Sequence, residues 1–430
     1  MVHKTVAYTA DHGLCCGCGI CKGICPKGSI QWTRVNGLYI PRIDESQCVN
    51  CGLCASVCPG LGHTYEPGGT AEATITGTVL ECCNAWSRDP ELRHVSASGG
   101  VVSTMIRELV VSGRYDGAFC LDSYDYRSQL RTRLYTVEEI ARCWASSKSP
   151  KSRYLPVSHE NAVEYMRKNR NARLILVGTS CAVRGLQETV SRLGLNREQY
   201  LFIGLFCERV FNYHVLTYFQ NTYAAGQELS ALHFKNKESG GWPGDMKLYP
   251  KDGDPFYVPL AERAKAKAYF MPERCLYCVD KLNVCADISL GDNYTGKDDS
   301  KLGSNSVIVR TKLGQEAWLA VKSLLETREI CIEDIQKAQY LQGRLNNLYF
   351  GDLKTSEVKC GDLNYGVPRE QCSQEFDQAW RSARKKANTG AVYDRNPAVL
   401  FKRMAQDSKK SNPVIGFAKR VIRYIKRKIK

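Results

Sequence analysis

The sequence predicts an α/β protein with three parts. A small cysteine-rich α+β module comes first, an α/β domain with a mostly parallel sheet follows, and an amphipathic helix ends the chain. Three observations lead to this prediction: a repeated cysteine run near the N-terminus, short apolar segments that alternate with helical patterns, and a one-sided apolar pattern over residues 413–430. The 430 residues are enough for two or three domains.

The composition favours a cytoplasmic protein with metal or redox chemistry. Hydrophobic residues make up 43% of the chain. The chain contains no run of about 18 apolar residues, so no transmembrane helix is predicted. The first residues lack the charged-then-apolar pattern of a signal peptide. Because the cytosol keeps thiols reduced, 21 cysteines indicate metal or redox groups rather than disulfides.

Two cysteine runs share one spacing and lie 33 residues apart. Each run has gaps of two, two and three residues and ends in Cys-Pro. The first run is Cys15, Cys18, Cys21 and Cys25, and the second is Cys48, Cys51, Cys54 and Cys58. This is the spacing of bacterial ferredoxins that hold two 4Fe–4S clusters. Zinc is the alternative, but zinc sites usually take paired CxxC units that are well separated in sequence.

A tight loop can wrap only three corners of an iron–sulfur cube, so the fourth cysteine of each run is expected to bind the other cluster. The predicted ligands of one cluster are Cys15, Cys18, Cys21 and Cys58. The predicted ligands of the other are Cys48, Cys51, Cys54 and Cys25. Cys16 is left over and is interpreted as a packed thiol. Residues 1–65 are therefore predicted to be a ferredoxin-type module that moves single electrons.

The following region alternates strands and helices. Ser98, Gly99 and Gly100 precede an apolar helical pattern, so their N–H groups can face an anion at the positive end of the helix dipole. Buried strands are predicted at 174–177 and 201–205. No GxGxxG sequence opens a helix, which argues against an ordinary dinucleotide-binding fold.

A third cysteine group consists of Cys275, Cys278 and Cys285. These three are one ligand short of a 4Fe–4S cluster, and the fourth must come from elsewhere in the chain. Cys207 follows a predicted strand, where functional sites gather, and is our choice. Cys181 is the second choice, and a structural zinc site is the alternative to a cluster.

Together these motifs resemble the coenzyme F420 hydrogenase/dehydrogenase β-subunit family. They are SxSGG (96–100), GTxC (178–181), GLFC (204–207), HFKNK…GW (233–242) and CxxC…CADISLGD (275–292). The resemblance covers residues 78–345 and implies an N-terminal family region at 78–165 and a C-terminal one at 166–345. It also implies an iron–sulfur flavoprotein, an oxidoreductase that contains FAD.

The resemblance further implies the residues that contact the flavin. Ser98, Gly99 and Gly100 would hold FAD, with Thr179 near the flavin turn. Lys148 and Tyr154 fall in a lysine–tyrosine stretch near the cofactor, and Lys237 and Trp242 would line its flavin or substrate side. No catalytic residue is assigned. Each of these residues also has an ordinary interpretation, such as a solvated lysine or a packed tryptophan.

The expected function is therefore electron transfer between two ferredoxin-type 4Fe–4S clusters, an inner 4Fe–4S cluster, FAD and a substrate. The substrate would be coenzyme F420 or another hydride donor or acceptor. One alternative is a ferredoxin-dependent reductase of bacterial polysaccharide or cell-surface biosynthesis. Another is an electron-relay subunit that has no substrate and serves a redox partner protein.

The C-terminal region carries most of the positive charge. Of the net charge of +16, residues 402–430 contribute +10. Residues 346–412 form an extension of unknown role, and 413–430 are predicted to form a basic amphipathic helix. We expect this helix to lie on an anionic membrane surface, such as the inner face of the cell membrane. The alternative is a helix that binds a protein or nucleic acid, but no aromatic stacking residues surround it, so nucleic-acid binding is not expected.

Overall fold

A computed structural model describes residues 5–61, 71–122, 128–144, 151–238, 240–345 and 374–410. Lys148 and the predicted helix at 413–430 lie outside these ranges. The strands, in chain order, are β1 Ile30–Val35, β2 Leu38–Ile43, β3 Glu81–Ser87, β4 Gly117–Leu121, β5 Leu130–Tyr135, β6 Val157–Ser158, β7 Leu174–Thr179, β8 Tyr200–Leu205, β9 Leu229–Asn236, β10 Asp245–Pro250, β11 Phe256–Val258, β12 Ile288–Asp292, β13 Asn305–Val309 and β14 Leu325–Glu329.

The helices separate these strands and extend beyond them. In chain order they are α1 Ala7–Asp11, α2 Ile20–Ile24, α3 Leu53–Ser56, α4 Ala71–Thr76, α5 Pro90–Val95, α6 Val101–Val111, α7 Val137–Cys143, α8 Glu160–Lys168, α9 Ser180–Arg192, α10 His214–Tyr223, α11 Leu260–Ala266, α12 Lys312–Val321, α13 Ile332–Ala338, α14 Gln342–Leu345, α15 Gln374–Ala391 and α16 Pro397–Lys410. No described helix is long and apolar enough to cross a membrane.

The N-terminal module shows its sequence repeat in its backbone. In each cysteine run a glycine precedes a short helix: Gly19 before α2 and Gly52 before α3. Both glycines have left-handed φ angles, 74° and 76°, which glycine adopts without steric cost. The antiparallel hairpin of β1 and β2 joins the two halves. The duplicated sequence therefore gives two similar loop–helix units.

The main domain contains a nine-stranded sheet with the order β14-β3-β13-β12-β8-β7-β4-β5-β6. The α/β class is confirmed, but the prediction of a mostly parallel sheet is wrong. Four neighbouring pairs are parallel, and the other four are antiparallel. No helix is described between β4 and β5 or between β12 and β13, and each pair is an antiparallel hairpin.

Five strands end at the same edge of this sheet: β3, β4, β7, β8 and β12. β7, β8 and β12 are neighbours and run parallel. β3 points the same way, because it pairs antiparallel with β13, which in turn pairs antiparallel with β12. Loops that follow the carboxyl ends of such strands meet at one edge, where α/β proteins commonly bind ligands.

The N-terminal module docks on the sheet through a shared apolar core. Ile20 and Ile24 of α2 pack with Leu176 and Phe202 of the sheet in one buried cluster. Gly185 of α9 lies so close to the module that a Cβ added there would come within 2.6 Å of Ile20 Cδ1. The module and the sheet are thus held together by buried side chains rather than by a linker alone.

The described part of the C-terminal extension, α15 and α16, packs against the loop that carries Cys275. Trp380 is only 4% exposed and stacks on Tyr277, with their ring centroids 5.7 Å apart. Arg384 Nε lies 2.7 Å from a carboxylate oxygen of Glu273. The extension therefore covers the loop between Cys275 and Cys278.

Replacement of Trp380 by alanine is expected to lower the free energy of unfolding by about 3–5 kcal/mol, because it removes a large buried side chain and leaves a cavity. Leu319→Ala is the matched control, since Leu319 is 60% exposed and should change stability by less than about 0.5 kcal/mol. Denaturant titration followed by circular dichroism measures both variants. Equal stabilities for the two would show that α15 does not support this loop.

Candidate functional site

The first cysteine site is a cavity inside the N-terminal module. It is lined by all four cysteines that the spacing of the two runs groups there: Cys15, Cys18, Cys21 and Cys58. Burial raises the pKa of Cys15 to about 12, and the charge of Cys58 adds to this effect. Cys58 comes from the second run, so the crossed grouping of three cysteines plus one is present in the fold. The ligand role of these thiols stays a prediction.

The second cysteine site lies nearer the surface. A separate cavity is lined by Cys25, Cys48, Cys51 and Cys54, which are again the four residues grouped by sequence. Cys51 is exposed, and the neighbouring Val49 is 58% exposed. Of the two sites in the module, this one is therefore the more accessible to another molecule.

The third site brings together cysteines from two strand ends and one loop. Cys181 lies in the first turn of α9, directly after β7, and Cys207 follows β8. Burial raises the pKa of Cys207 well above its usual value, and three nearby thiolates raise it further: Cys275, Cys181 and Cys278. Cys181 was the second choice from the sequence, and it lies with Cys207, the first choice.

Cys285 has different electrostatic neighbours from this group. The charges that act most strongly on its thiol are those of Arg184, Asp280 and Arg310, together with Glu188. Its side chain packs against a different core cluster from that of Cys275. The Asp280 carboxylate accepts a hydrogen bond from Val284 N at 3.1 Å, and this closed turn carries the chain toward α9. The ligand role of Cys285 stays a prediction, and Cys181 is a second thiol close enough to Cys207 and Cys275 to act on them.

Cys181 lies between the first and third sites. Its charge raises the pKa values of Cys15 and Cys18 in the first site as well as that of Cys275 in the third. Cys16, the thiol left over from the repeated spacing, hydrogen-bonds to Cys181. Within the described residues, no group of three or more His, Cys, Asp or Glu side chains is placed to hold a single metal ion.

The Ser98-Gly99-Gly100 turn lies at the same edge of the sheet and leads into α6. Gly100 has a φ of 84°, and Ser98 Oγ donates to Ser304 O at 2.9 Å. Lys237 Nζ donates to Ser98 O at 2.8 Å and to Arg93 O at 2.6 Å. Burial, followed by the charges of Lys235 and Arg93, lowers the pKa of Lys237 to about 7. Lys237 is therefore bound to this turn rather than solvated.

Asp292, at the end of β12, is a buried carboxylate that was not selected from the sequence. It forms an ion pair with Lys235 and accepts hydrogen bonds from Trp242 Nε1 and Tyr294 OH, both at 3.3 Å. Trp242 thus lies at the same edge of the nine-stranded sheet as Ser98. An acidic residue two positions after Leu290, at the end of an apolar segment, was the signal that could have identified Asp292 from the sequence.

Positive charges surround Tyr154. Lys267 Nζ lies 5.0 Å from the centre of the Tyr154 ring, Arg263 Cζ lies 5.6 Å away and Lys235 Nζ lies 6.0 Å away. Burial, followed by the charge of Arg263, lowers the pKa of Lys267 to about 8. Cys207 is a further electrostatic neighbour of Lys267, so this cationic pocket adjoins the third cysteine site.

Several buried side-chain donors of the main domain, Arg263 among them, have no acceptor within the described residues. Arg153 is 9% exposed and Arg263 is 5% exposed, and Nη1 of each makes no hydrogen bond there. Asn236 Nδ2 also makes no hydrogen bond within the described residues. Buried donors normally have partners, so these atoms are able to bind an anionic group.

Thr179 is placed differently from the flavin contacts expected with it. Its hydroxyl lies 3.4 Å from Cys181 Sγ, beside the third cysteine site. Ser98, Tyr154, Lys237 and Trp242 lie around the Asp292 edge and the cationic pocket. Lys148 lies outside the described residues, so its prediction is not addressed.

Family models match most of the chain. The N-terminal model of the coenzyme F420 hydrogenase/dehydrogenase beta subunit matches residues 82–163, and the C-terminal model matches 171–338. A 4Fe-4S dicluster domain matches residues 14–60. The chain belongs to the coenzyme F420 hydrogenase/dehydrogenase beta subunit family. This beta-subunit homologue is therefore an iron–sulfur protein of electron transfer, related to subunits of oxidoreductases.

Two curated relatives are proteins of Methanosarcina species. One is a subunit of the F420H2 dehydrogenase of Methanosarcina mazei, 23% identical over 326 residues, which cover 75% of this chain and 87% of the relative. The coenzyme F420 hydrogenase subunit beta of Methanosarcina barkeri is 26% identical over 268 residues, which cover 60% of this chain and 85% of the relative. A chain of the solved F420-reducing [NiFe] hydrogenase complex from M. barkeri aligns with a TM-score of 0.48 and 20% identity, over 64% of this beta-subunit homologue and 93% of that chain.

Replacement of Asp292 by asparagine is expected to lower the free energy of unfolding by about 3–5 kcal/mol. The reason is that the buried Lys235 ammonium loses its opposite charge. Asp334→Asn is the matched control, because Asp334 pairs with the exposed Lys297 at 2.7 Å and should contribute about 0–1 kcal/mol. Denaturant titration at neutral pH compares the two. A loss no larger for Asp292→Asn than for Asp334→Asn would contradict the assigned ion pair.

Proposed function

We propose that this beta-subunit homologue is an iron–sulfur flavoprotein oxidoreductase. It would pass electrons between two ferredoxin-type 4Fe–4S clusters, an inner 4Fe–4S cluster, FAD and a substrate. The observation that carries the proposal is the continuity of the three cysteine sites. They run from the exposed Cys51, by way of Cys181, to Cys207, which adjoins the cationic pocket at Lys267.

The proposed ligands follow from the grouping of the thiols. The two module clusters would take the eight cysteines already assigned from the sequence. The inner cluster would take Cys181, Cys207, Cys275 and Cys278, with Cys181 in place of Cys285. Arg344 supports this inner site, because its guanidinium donates to Cys278 O at 2.9 Å and to Cys207 O at 3.4 Å. Such contacts orient ligand-bearing loops and tune a cluster.

The proposed FAD site lies along the edge formed by Ser98, Asp292 and the cationic pocket. FAD supplies an exchange of two electrons with a hydride donor or acceptor and of single electrons with clusters. Arg153 and Arg263 would receive its phosphates, since their buried Nη1 atoms make no hydrogen bond within the described residues. Trp242, held by Asp292, would limit the access of water to the flavin face. Lys237 would keep the Ser98 turn closed.

The names of the relatives favour coenzyme F420 as the substrate, because two of them are subunits of F420-dependent enzymes. The same names favour a second candidate, an electron-relay subunit that serves a redox partner protein. Possession of FAD and reactivity with a hydride donor separate these two proposals. A cytoplasmic location and the docking of residues 413–430 on an anionic membrane surface are kept as proposals from the sequence.

Metal and flavin analysis of anaerobically purified protein tests the proposed function. The wild type is expected to hold about twelve iron atoms, because three 4Fe–4S clusters are assigned, and one FAD. Cys181→Ser is expected to hold about eight iron atoms, since the inner cluster loses a ligand. Cys285→Ser is the matched control and is expected to keep about twelve.

Two results would count against these assignments. If Cys285→Ser loses four iron atoms and Cys181→Ser does not, the ligand set expected from the sequence is right. If the wild type holds its iron but no flavin, the chain is an electron relay and the enzyme proposal fails.

A further inference from the structure

Arg274 physically connects the first and third cysteine sites. It directly precedes Cys275 of the third site and is only 8% exposed. Its Nη2 donates to Pro59 O at 3.2 Å, and Pro59 directly follows Cys58 of the first site. One buried guanidinium therefore reaches from a cysteine loop of the main domain to a cysteine loop of the N-terminal module.

The charge of Arg274 acts on thiols of both sites. It lowers the pKa of Cys58 in the first site and of Cys278 in the third, against the larger effect of burial. It also favours the thiolates of Cys16 and Cys181, which lie between the two sites. Because an arginine in a protein stays protonated, this positive charge is permanent.

Arg344 provides a contrast within the same region. It is also buried, but its hydrogen bonds go to the carbonyl oxygens of Cys278, Cys207 and Glu208 on the third-site side. The Glu208 carboxylate lies 3.7 Å from Arg344 Nη2. Arg344 therefore acts on one site, whereas Arg274 acts on two.

We propose that the Arg274 guanidinium couples the first and third iron–sulfur sites electrostatically and raises the reduction potentials of both. This inference rests on the proposed function, since it requires clusters at these sites. When an electron moves between the sites, one cluster is oxidised and the other is reduced, with no proton transfer. A reduced cluster carries one more negative charge than an oxidised one, and a nearby buried cation stabilises that charge.

The position between the two sites gives this cation a particular effect. A charge close to only one cluster would stabilise an electron there and oppose its departure. A charge that acts on both clusters lowers the energy of the electron on either cluster. The two reduction potentials therefore move together, and the difference between them changes little. Arg274 is thus a positioning residue for electron transfer and not a ligand of either cluster.

Redox titration monitored by electron paramagnetic resonance tests this role in the full-length holoprotein. The variants are Arg274→Gln, Arg274→Lys and Arg344→Gln, and Cys181→Ser identifies the signal of the third site. In Arg274→Gln both reduction potentials are expected to fall by about 59 mV. For one electron this corresponds to about a tenfold change in the equilibrium constant for reduction. Arg274→Lys should restore most of this shift because it keeps the charge. Arg344→Gln should shift the third site alone.

The outcomes separate this proposal from the proposed function. Unchanged potentials in Arg274→Gln, or a shift at one site only, would overturn the role of Arg274 while leaving the clusters in place. A shift of both sites that Arg274→Lys does not restore would also overturn it, since packing and not charge would then be responsible. If the wild type shows no third-site signal, the inner cluster is absent, and the proposed function fails independently of the role of Arg274. Iron content and circular dichroism identify any variant that is misfolded.

Discussion

The shared carboxyl edge of β3, β7, β8 and β12 is the constraint on which the rest of the structure depends. Because these strands point the same way, the loops that follow them must meet. Cys181 and Cys207 follow two of these strands, Asp292 ends a third, and the Ser98 turn follows the fourth. The thiols and the buried charged groups of the main domain are therefore neighbours, although they are far apart in sequence.

Buried charge is the second organising feature of this edge. Lys235, Arg263 and Lys267 surround Tyr154, and Asp292 pairs with Lys235. Burial of so many cations is costly unless anions accompany them. The lowered pKa values of Lys237 and Lys267 reflect this cost. A bound anionic group would offset this cost, and the proposed FAD site rests on that argument.

Cysteine spacing predicted the dicluster domain of the N-terminal module because the cysteines of each run are close together in sequence. Repeated gaps of two and three residues leave little freedom, and the two cavities hold the same cysteines that the spacing groups. The third site depends on which strand ends meet, and spacing along the chain does not report this. Cys285 is close to Cys278 in sequence but turns toward α9, whereas Cys181 is almost a hundred residues away and lies with it. Asp292 was missed because its role also depends on which strand ends meet. The hairpins that make the sheet mixed depend on strand pairing, which spacing along the chain does not report.

The central claim is that three one-electron clusters and one two-electron flavin share a single chain. Anaerobic reductive titration of the purified protein, followed by its absorbance, tests this claim most directly. Uptake of about five electron equivalents per chain is expected, with bleaching of both cluster and flavin bands. Uptake of about three equivalents without a flavin band would contradict the flavoprotein assignment, and uptake of about four with a flavin band would contradict the inner cluster.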